Sequence, residues 1–355
     1  MKICITTKTL GRGGSEMLLS YIIPKLIEMG YDIEVIYFYK MDNDISKLLE
    51  KYGVNVIFLG QLSGFSLMPT LIKYGKYLKN NNTILFEHSP LVSFFSRIIA
   101  RNNKIVYVEH SVFENYNIVT RFLNKITYNR VDKIICCSDK VYKSNGNIGI
   151  VLKNAVESRD KKSYLHPDDL LFPDYKVIIS VANISKVKNH EMLINAFNKV
   201  KYKKVKLLIV GDARDNIDNL LNAISLSNKS RDIIYFGPSN DVFPLLSIAD
   251  IFCLTSIHEG LPISMLEAMS IGLVPVSTNV GGIPELLDGK CGLLTEINDI
   301  ESYANQLDLL LSNDDLYEKY SKNAKDKIKE QYNLDDYCRC ISSIFLALQK
   351  KKVIK

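Results

Sequence analysis

The sequence predicts an α/β protein built from two doubly wound, Rossmann-like domains facing each other across a cleft. Three observations carry this expectation. Short β-branched runs alternate with longer helix-like segments along the whole chain, as parallel strands joined by crossover helices do. A fresh strand–helix series begins near Lys176, after a charged stretch (157–175) with two prolines and no periodicity, which reads as a linker. At 355 residues, 47% of them hydrophobic, the chain is long enough to bury two cores.

In the first half the expected strands are KICIT (2–6), IEVIYF (33–38), NVIFL (55–59), TILFEH (83–88), KIVYVEH (104–110) and KIIC (133–136). In the second they are KVIISVA (176–182), KLLIV (206–210), DIIYFG (232–237), DIFCL (250–254) and VPVST (274–278). The domains are therefore placed at 1–165 and 166–334, with a helical tail over about 335–355 packing back onto the first domain. Ligands of such sheets bind at the carboxyl ends of the strands, so the site is expected in the cleft between the two domains.

No apolar run reaches 18 residues, and MKICITTKTLGRGG leads from one lysine straight into a strand. The expectation is a cytoplasmic protein. Seven cysteines, an odd number without zinc-like spacing, read as reduced core residues. Residues 1–165 hold 23 Lys/Arg against 14 Asp/Glu, whereas 166–355 hold 22 against 25. Such asymmetry points to an anionic partner for the first half. With no helix-turn-helix, RNP or basic-zipper pattern, a membrane surface is expected and nucleic acid is not. The segment 91–101 (LVSFFSRIIAR), with Phe94, Phe95, Ile98 and Ile99 beside Arg97 and Arg101, is the candidate for that contact, against a core helix with exposed arginines.

The most informative stretch is 249–294, ADIFCLTSIHEGLPISMLEAMSIGLVPVSTNVGGIPELLDGKCGLL. A strand leads through a loop into a helix with Pro262 at its first position, so that N–H groups over Leu261–Ser264 face an anion such as a diphosphate. Glu259 precedes the helix and Glu267 lies about two turns in, at most ~12 Å away, about the span from the sugar to the ribose of a nucleotide sugar. Alone, two such glutamates read as solvated helix-face acids.

The whole string closely resembles family 4 of the retaining glycosyltransferases, in which a Glu, seven residues and a second Glu are followed by a Gly-Gly-x-x-Glu turn. Here these are Glu259, Glu267 and Gly281-Gly282-Ile283-Pro284-Glu285. The resemblance covers nearly the full chain and implies the GT-B fold, a nucleotide-sugar donor held mainly by the second domain, and transfer without a metal or other cofactor. On it, Glu259 and His110 (in YVEHS) are the expected catalytic residues, and Gly260, Leu261, Pro262, Ile263, Ser264 and Glu267 bind the donor. Gly13 and Gly14 resemble the family's phosphate-approaching glycine loop. Lys188 matches a diphosphate-binding lysine, and Asn183 stands where many members carry arginine. His88 fits a structural role better. Asp42-Asn43-Asp44 has the form of a manganese motif of a different fold and reads as a solvated loop.

The expected function is metal-independent, retaining hexosyl transfer from a nucleotide sugar to a glycan or lipid-linked saccharide in bacterial surface polysaccharide synthesis. UDP is the expected nucleotide by family frequency. The alternatives are a sugar-nucleotide epimerase of the same fold, which would need no acceptor, and a catalytically silent sugar-nucleotide-binding scaffold, which the Asn183 departure favours.

Overall fold

The computed structural model describes all residues except 43, 82, 101, 162, 163, 165–171, 354 and 355. The chain forms two compact units, Met1–Asn154 with Leu334–Lys355, and Ala155–Asn333. Of the sequence-based linker 157–175, residues 162, 163 and 165–171 lie outside the described residues.

The first unit carries strands β1 (Lys2–Thr9), β2 (Asp32–Tyr39), β3 (Asn55–Phe58), β4 (Ile84–Glu87), β5 (Lys104–Glu109), β6 (Lys133–Cys136) and β7 (Ile150–Val151). They form one parallel sheet in the order β3-β2-β1-β4-β5-β6-β7. The second unit carries β8 (Lys176–Val181), β9 (Val205–Val210), β10 (Ile233–Gly237), β11 (Ile251–Leu254), β12 (Val274–Thr278) and β13 (Leu293–Thr295). These too are parallel, in the order β10-β9-β8-β11-β12-β13. Helices on both faces explain why the central strands read as unbroken apolar runs: every residue of β11 is buried.

Each sheet reverses direction once, between β1 and β4 in the first unit and between β8 and β11 in the second. Such reversals splay the crossover helices apart and open a crevice at the carboxyl ends. The opposite, amino ends are pinned alike in both units. Asp132 accepts from the N–H of Ile105 and the ammonium of Lys104, at 2.9 Å each, and Asp250 accepts from Val177 N–H (2.7 Å) and Lys176 (3.2 Å).

The junction falls at 154/155 rather than 165/166. Val156 donates its N–H to the Tyr332 carbonyl at 3.0 Å, and Arg159 stacks on Phe243 at 4.1 Å, so the residues just after Asn154 pack with the second unit. The closing helix, Leu334–Val353, belongs to the first unit: Phe345 meets Tyr31 and Phe86 edge to face, and Asp335 pairs with Lys25 at 3.3 Å. Among the described residues no helix is long and apolar enough to cross a membrane. The cysteines are unpaired, and all but Cys340 are buried.

Candidate active site

In the second unit, the turn leaving β8 ends at Asn189 in the left-handed region (φ 50°), which brings Lys188 against the loop leaving β11. Thr255 donates its hydroxyl to the carbonyls of Lys188 (3.1 Å) and Asn189 (2.9 Å), and Ile257 N–H donates to Val187 O at 2.8 Å. The side chains then converge. Glu259 Oε1 accepts from Lys188 Nζ and from Ser256 Oγ, each at 2.6 Å.

The loop leaving β12 braces this arrangement from behind. Thr278 Oγ1 donates to Ser256 O at 2.6 Å, and Gly282 N–H donates to Gly260 O at 2.7 Å. Gly281 has a φ of +59°, and a Cβ there would lie 2.1 Å from the Glu259 carbonyl oxygen. Only glycine fits, which gives the Gly-Gly-x-x-Glu turn a physical reason: it lets one backbone cross directly behind Glu259.

The following helix spans Ile263–Ser270, with Pro262 as its N-cap rather than its first helical residue. The expected anion-facing N–H groups accordingly shift by about one residue, to Ile263, Ser264 and Met265, because Pro262 has no N–H to offer. Gly260 lies in the loop, and Leu261 is buried ahead of the cap. Glu267 is only 3% exposed, so the solvated helix-face reading fails for it. Asn183 follows β8 beside a tight crossing: a Cβ on Gly211 would sit 1.9 Å from Ala182 O, and Gly211 N–H donates to Gly237 O at 2.9 Å. The carboxyl ends of β8, β9 and β10 are thereby drawn together through backbone alone.

In the first unit, Gly13 caps the helix Gly14–Glu28 with no side-chain hydrogen bond. Ser15 donates to Glu16 at 2.7 Å, and Thr9 donates to the same carboxylate at 2.9 Å. A Cβ on Gly13 would lie 2.5 Å from Glu16 Oε2, so this glycine makes room for the folded-back acid. Asp44 accepts from Ser46 N–H at 3.0 Å, just ahead of a short helix whose N-cap is Ile45, while Asn43 lies outside the described residues.

His88 and His110 leave the adjacent strands β4 and β5. His88 Nδ1 lies 2.9 Å from His110 Nε2. Burial lowers the basicity of both rings, His88 well below the ordinary range and His110 to about 4. Next to His110, Glu109 is buried and its carboxyl is pushed up by desolvation, against hydrogen bonds from Tyr116, Tyr107 and Tyr128. The structure thus brings His110 together with a partner that the sequence reading had set aside. Ser256, Thr255 and Thr278 were missed as well. Each is a hydroxyl on a strand exit, a weak signal until the neighbouring strand is known.

Residues 163–327 match the model for glycosyl transferases group 1. Along nearly its full length the chain is 27% identical to an uncharacterized glycosyltransferase of Haemophilus influenzae, covering 91% of this chain and 93% of the relative. The second unit is a group 1 glycosyltransferase domain. Another relative of this chain is the Campylobacter jejuni N-acetylgalactosamine-N,N'-diacetylbacillosaminyl-diphospho-undecaprenol 4-alpha-N-acetylgalactosaminyltransferase, 24% identical over 92% of this chain and 95% of that protein. Among solved structures, Anabaena HepE in complex with UDP-glucose superposes with a TM-score of 0.85 at 19% identity, covering 98% of this chain and 100% of HepE. The chain therefore has the GT-B fold.

Proposed function

We propose that this chain is a retaining, metal-independent hexosyltransferase that moves a sugar from a UDP-sugar onto a glycan or lipid-linked saccharide for bacterial surface polysaccharide synthesis. The observation that carries the proposal is the convergence of Lys188 and Glu259 at the switch point of the second sheet. Lys188 meets the donor diphosphate together with the N–H groups at Ile263 and Ser264, so charge on the leaving group is balanced without a divalent ion. Glu259 orients the sugar, and Glu267 binds ribose hydroxyls. In the first unit, His110 and the Gly13–Gly14 loop keep the roles that the sequence resemblance implies. A UDP-sugar donor is supported by the HepE complex with UDP-glucose, and a lipid-linked acceptor by the diphospho-undecaprenol substrate in the name of the Campylobacter relative.

Glu259 Oε1 is committed to Lys188 and Ser256, which argues against its serving as a free nucleophile. A front-face route fits better. The acceptor oxygen bonds to the anomeric carbon on the side from which the diphosphate departs, and a phosphate oxygen takes the acceptor proton. The test is transfer by purified protein with excess chelator, beside Glu259→Gln. Expected are an anomerically retained product and a turnover loss on the order of 10²- to 10³-fold in the variant, with UDP-sugar affinity kept within about threefold. Near-normal turnover by the variant, an inverted product or loss of activity in chelator would each overturn the corresponding part.

Membrane contact is proposed through the first unit, by a different surface than 91–101. Arg97 is 1% exposed, stacked between Tyr107 and Tyr128 at 4.8 Å from each ring, and Phe95 and Ile99 pack into the core. Arg101 lies outside the described residues. The helix Ile118–Thr127 instead turns Ile118, Val119, Phe122 and Ile126 outward, 54% to 78% exposed. Residues 51–131 hold ten Lys/Arg, of which Arg97 is buried, and three acids, of which Glu87 and Glu109 are buried. An apolar face within a cationic stretch suits an anionic bilayer surface. Sedimentation with anionic vesicles, lost in Ile118→Ser/Phe122→Ser and absent with neutral vesicles, is the expected result.

A further inference from the structure

We propose that His88 fixes the tautomer of His110, so that His110 offers its Nδ1–H as a hydrogen-bond donor to a substrate oxygen and cannot serve as a base. His88 is thus a positioning residue. That His110 meets substrate rests on the transferase reading, whereas the tautomer assignment rests on the geometry alone.

The two rings face each other along an N–N separation of 2.9 Å, with centroids 5.1 Å apart and planes 28° apart. That combination is an edge-to-edge hydrogen bond rather than a face-to-face stack. A neutral imidazole carries one N–H, so one ring donates and the other accepts. Burial lowers the basicity of both rings and favours their neutral forms, and the 2.9 Å contact itself allows a proton on only one of the two facing nitrogens, since two facing N–H groups would repel.

The far nitrogen of His88 decides the direction. His88 is 5% exposed, its Nε2 is buried without a partner, and the Phe86 ring stands edge to face against it with centroids 4.5 Å apart. If His110 donated, the His88 proton would sit on Nε2 and leave an N–H stranded in apolar surroundings. If His88 donates through Nδ1, only a lone pair is left there. Stranded buried N–H groups are the rarer and costlier outcome. His110 then accepts at Nε2 and carries its own proton on Nδ1, which makes no hydrogen bond among the described residues.

Glu109 completes the device from the backbone side. It accepts from the hydroxyls of Tyr107, Tyr116 and Tyr128 and from Ser111 N–H at 3.4 Å, holding the chain on both sides of His110. With its free nitrogen already protonated, His110 can bind a hydroxyl or phosphate lone pair but has no site for the acceptor's proton. That proton must leave with the departing phosphate.

The experiment is long-range proton–nitrogen correlation NMR of the full chain with labelled histidine at about pH 7. Five histidines make assignment by substitution practical. Expected are protonated Nδ1 on both His88 and His110, and reversion of His110 toward the Nε2–H form in His88→Phe. In parallel, His88→Phe should lower kcat on the order of 10²-fold with donor affinity unchanged, and His88→Asn, whose amide can donate from about the Nδ1 position, should recover part of the loss. An Nε2–H His110 in the wild type, or a His110 tautomer indifferent to His88→Phe, overturns the proposal. Should His88→Phe not fold, the wild-type spectrum decides alone. A wild type that turns over no donor refutes the transferase reading and leaves the tautomer assignment to the spectrum.

Discussion

Lys188 Nζ stands 2.6 Å from Glu259 Oε1, although 71 residues separate them in the chain. Their side chains are 25% and 9% exposed, so the pair is partly shielded from water and each member is held where the other needs it. The cation proposed for the diphosphate and the carboxylate proposed for the sugar are thereby kept at one point by mutual attraction.

A double-mutant cycle of Lys188→Met and Glu259→Gln should therefore give a coupling of about 0.5–3 kcal/mol in urea unfolding. Lys188→Met alone should also weaken nucleotide-sugar affinity, measured by calorimetry, whereas Glu259→Gln should not. Additive unfolding energies would mean that the pair has no structural role.

Gly281→Ala should both destabilise the second unit and impair turnover. The left-handed φ costs about 1–2 kcal/mol for a residue with a Cβ, and the 2.1 Å approach to Glu259 O adds a clash that must move the glutamate. Gly289→Ala is the control, with a φ of +70° and open space around it. It should lose stability by the backbone term alone and retain activity.

His190 gives a pH prediction. It is 1% exposed, neither ring nitrogen has a partner, and burial with the nearby Lys188 charge lowers it to about 4. The folded form holds this ring neutral, while the unfolded chain takes up a proton below its ordinary value of about 6.5. Stability is therefore complete above that value and falls as pH drops toward 4, by up to about 3 kcal/mol from this residue. Melting temperatures at neutral and mildly acid pH should converge in His190→Phe relative to the wild type. An unchanged gap would assign the acid sensitivity elsewhere.

Arg97→Lys should destabilise the first unit by about 1–3 kcal/mol despite the retained charge. The guanidinium lies between two tyrosine rings and donates through one nitrogen to Asn124 Oδ1 and Thr127 Oγ1, both at 3.1 Å. An ammonium cannot stack in that way. Thermal unfolding checks it, and no loss would show that the stack contributes little.

Much of the fold was legible because its signals are local. Runs such as KVIISVA and DIFCL are β-branched or aromatic and lie between helical segments, and each is a strand in the sheet. The strands that escaped notice, Ile150–Val151 and Leu293–Thr295, are sheet edges of two and three residues, too short to show a period. Arg97 misled for a different reason: a charge in an amphipathic segment reads as surface, and only the aromatic residues of neighbouring elements reveal that it is enclosed.

By itself the sequence determined the two parallel α/β units and the segment that carries Glu259 and Glu267, because strand–helix alternation and the proline-led helix start are written in consecutive residues. The tertiary structure alone decided that Glu259 is gripped by Lys188 and Ser256, that Gly281 must be glycine because a carbonyl passes behind it, and that His88 and His110 share a proton's width. These relationships join the exits of different strands. Parallel strands reach adjacency only through long crossovers, so the spacing between such residues along the chain carries no trace of the distance between their side chains.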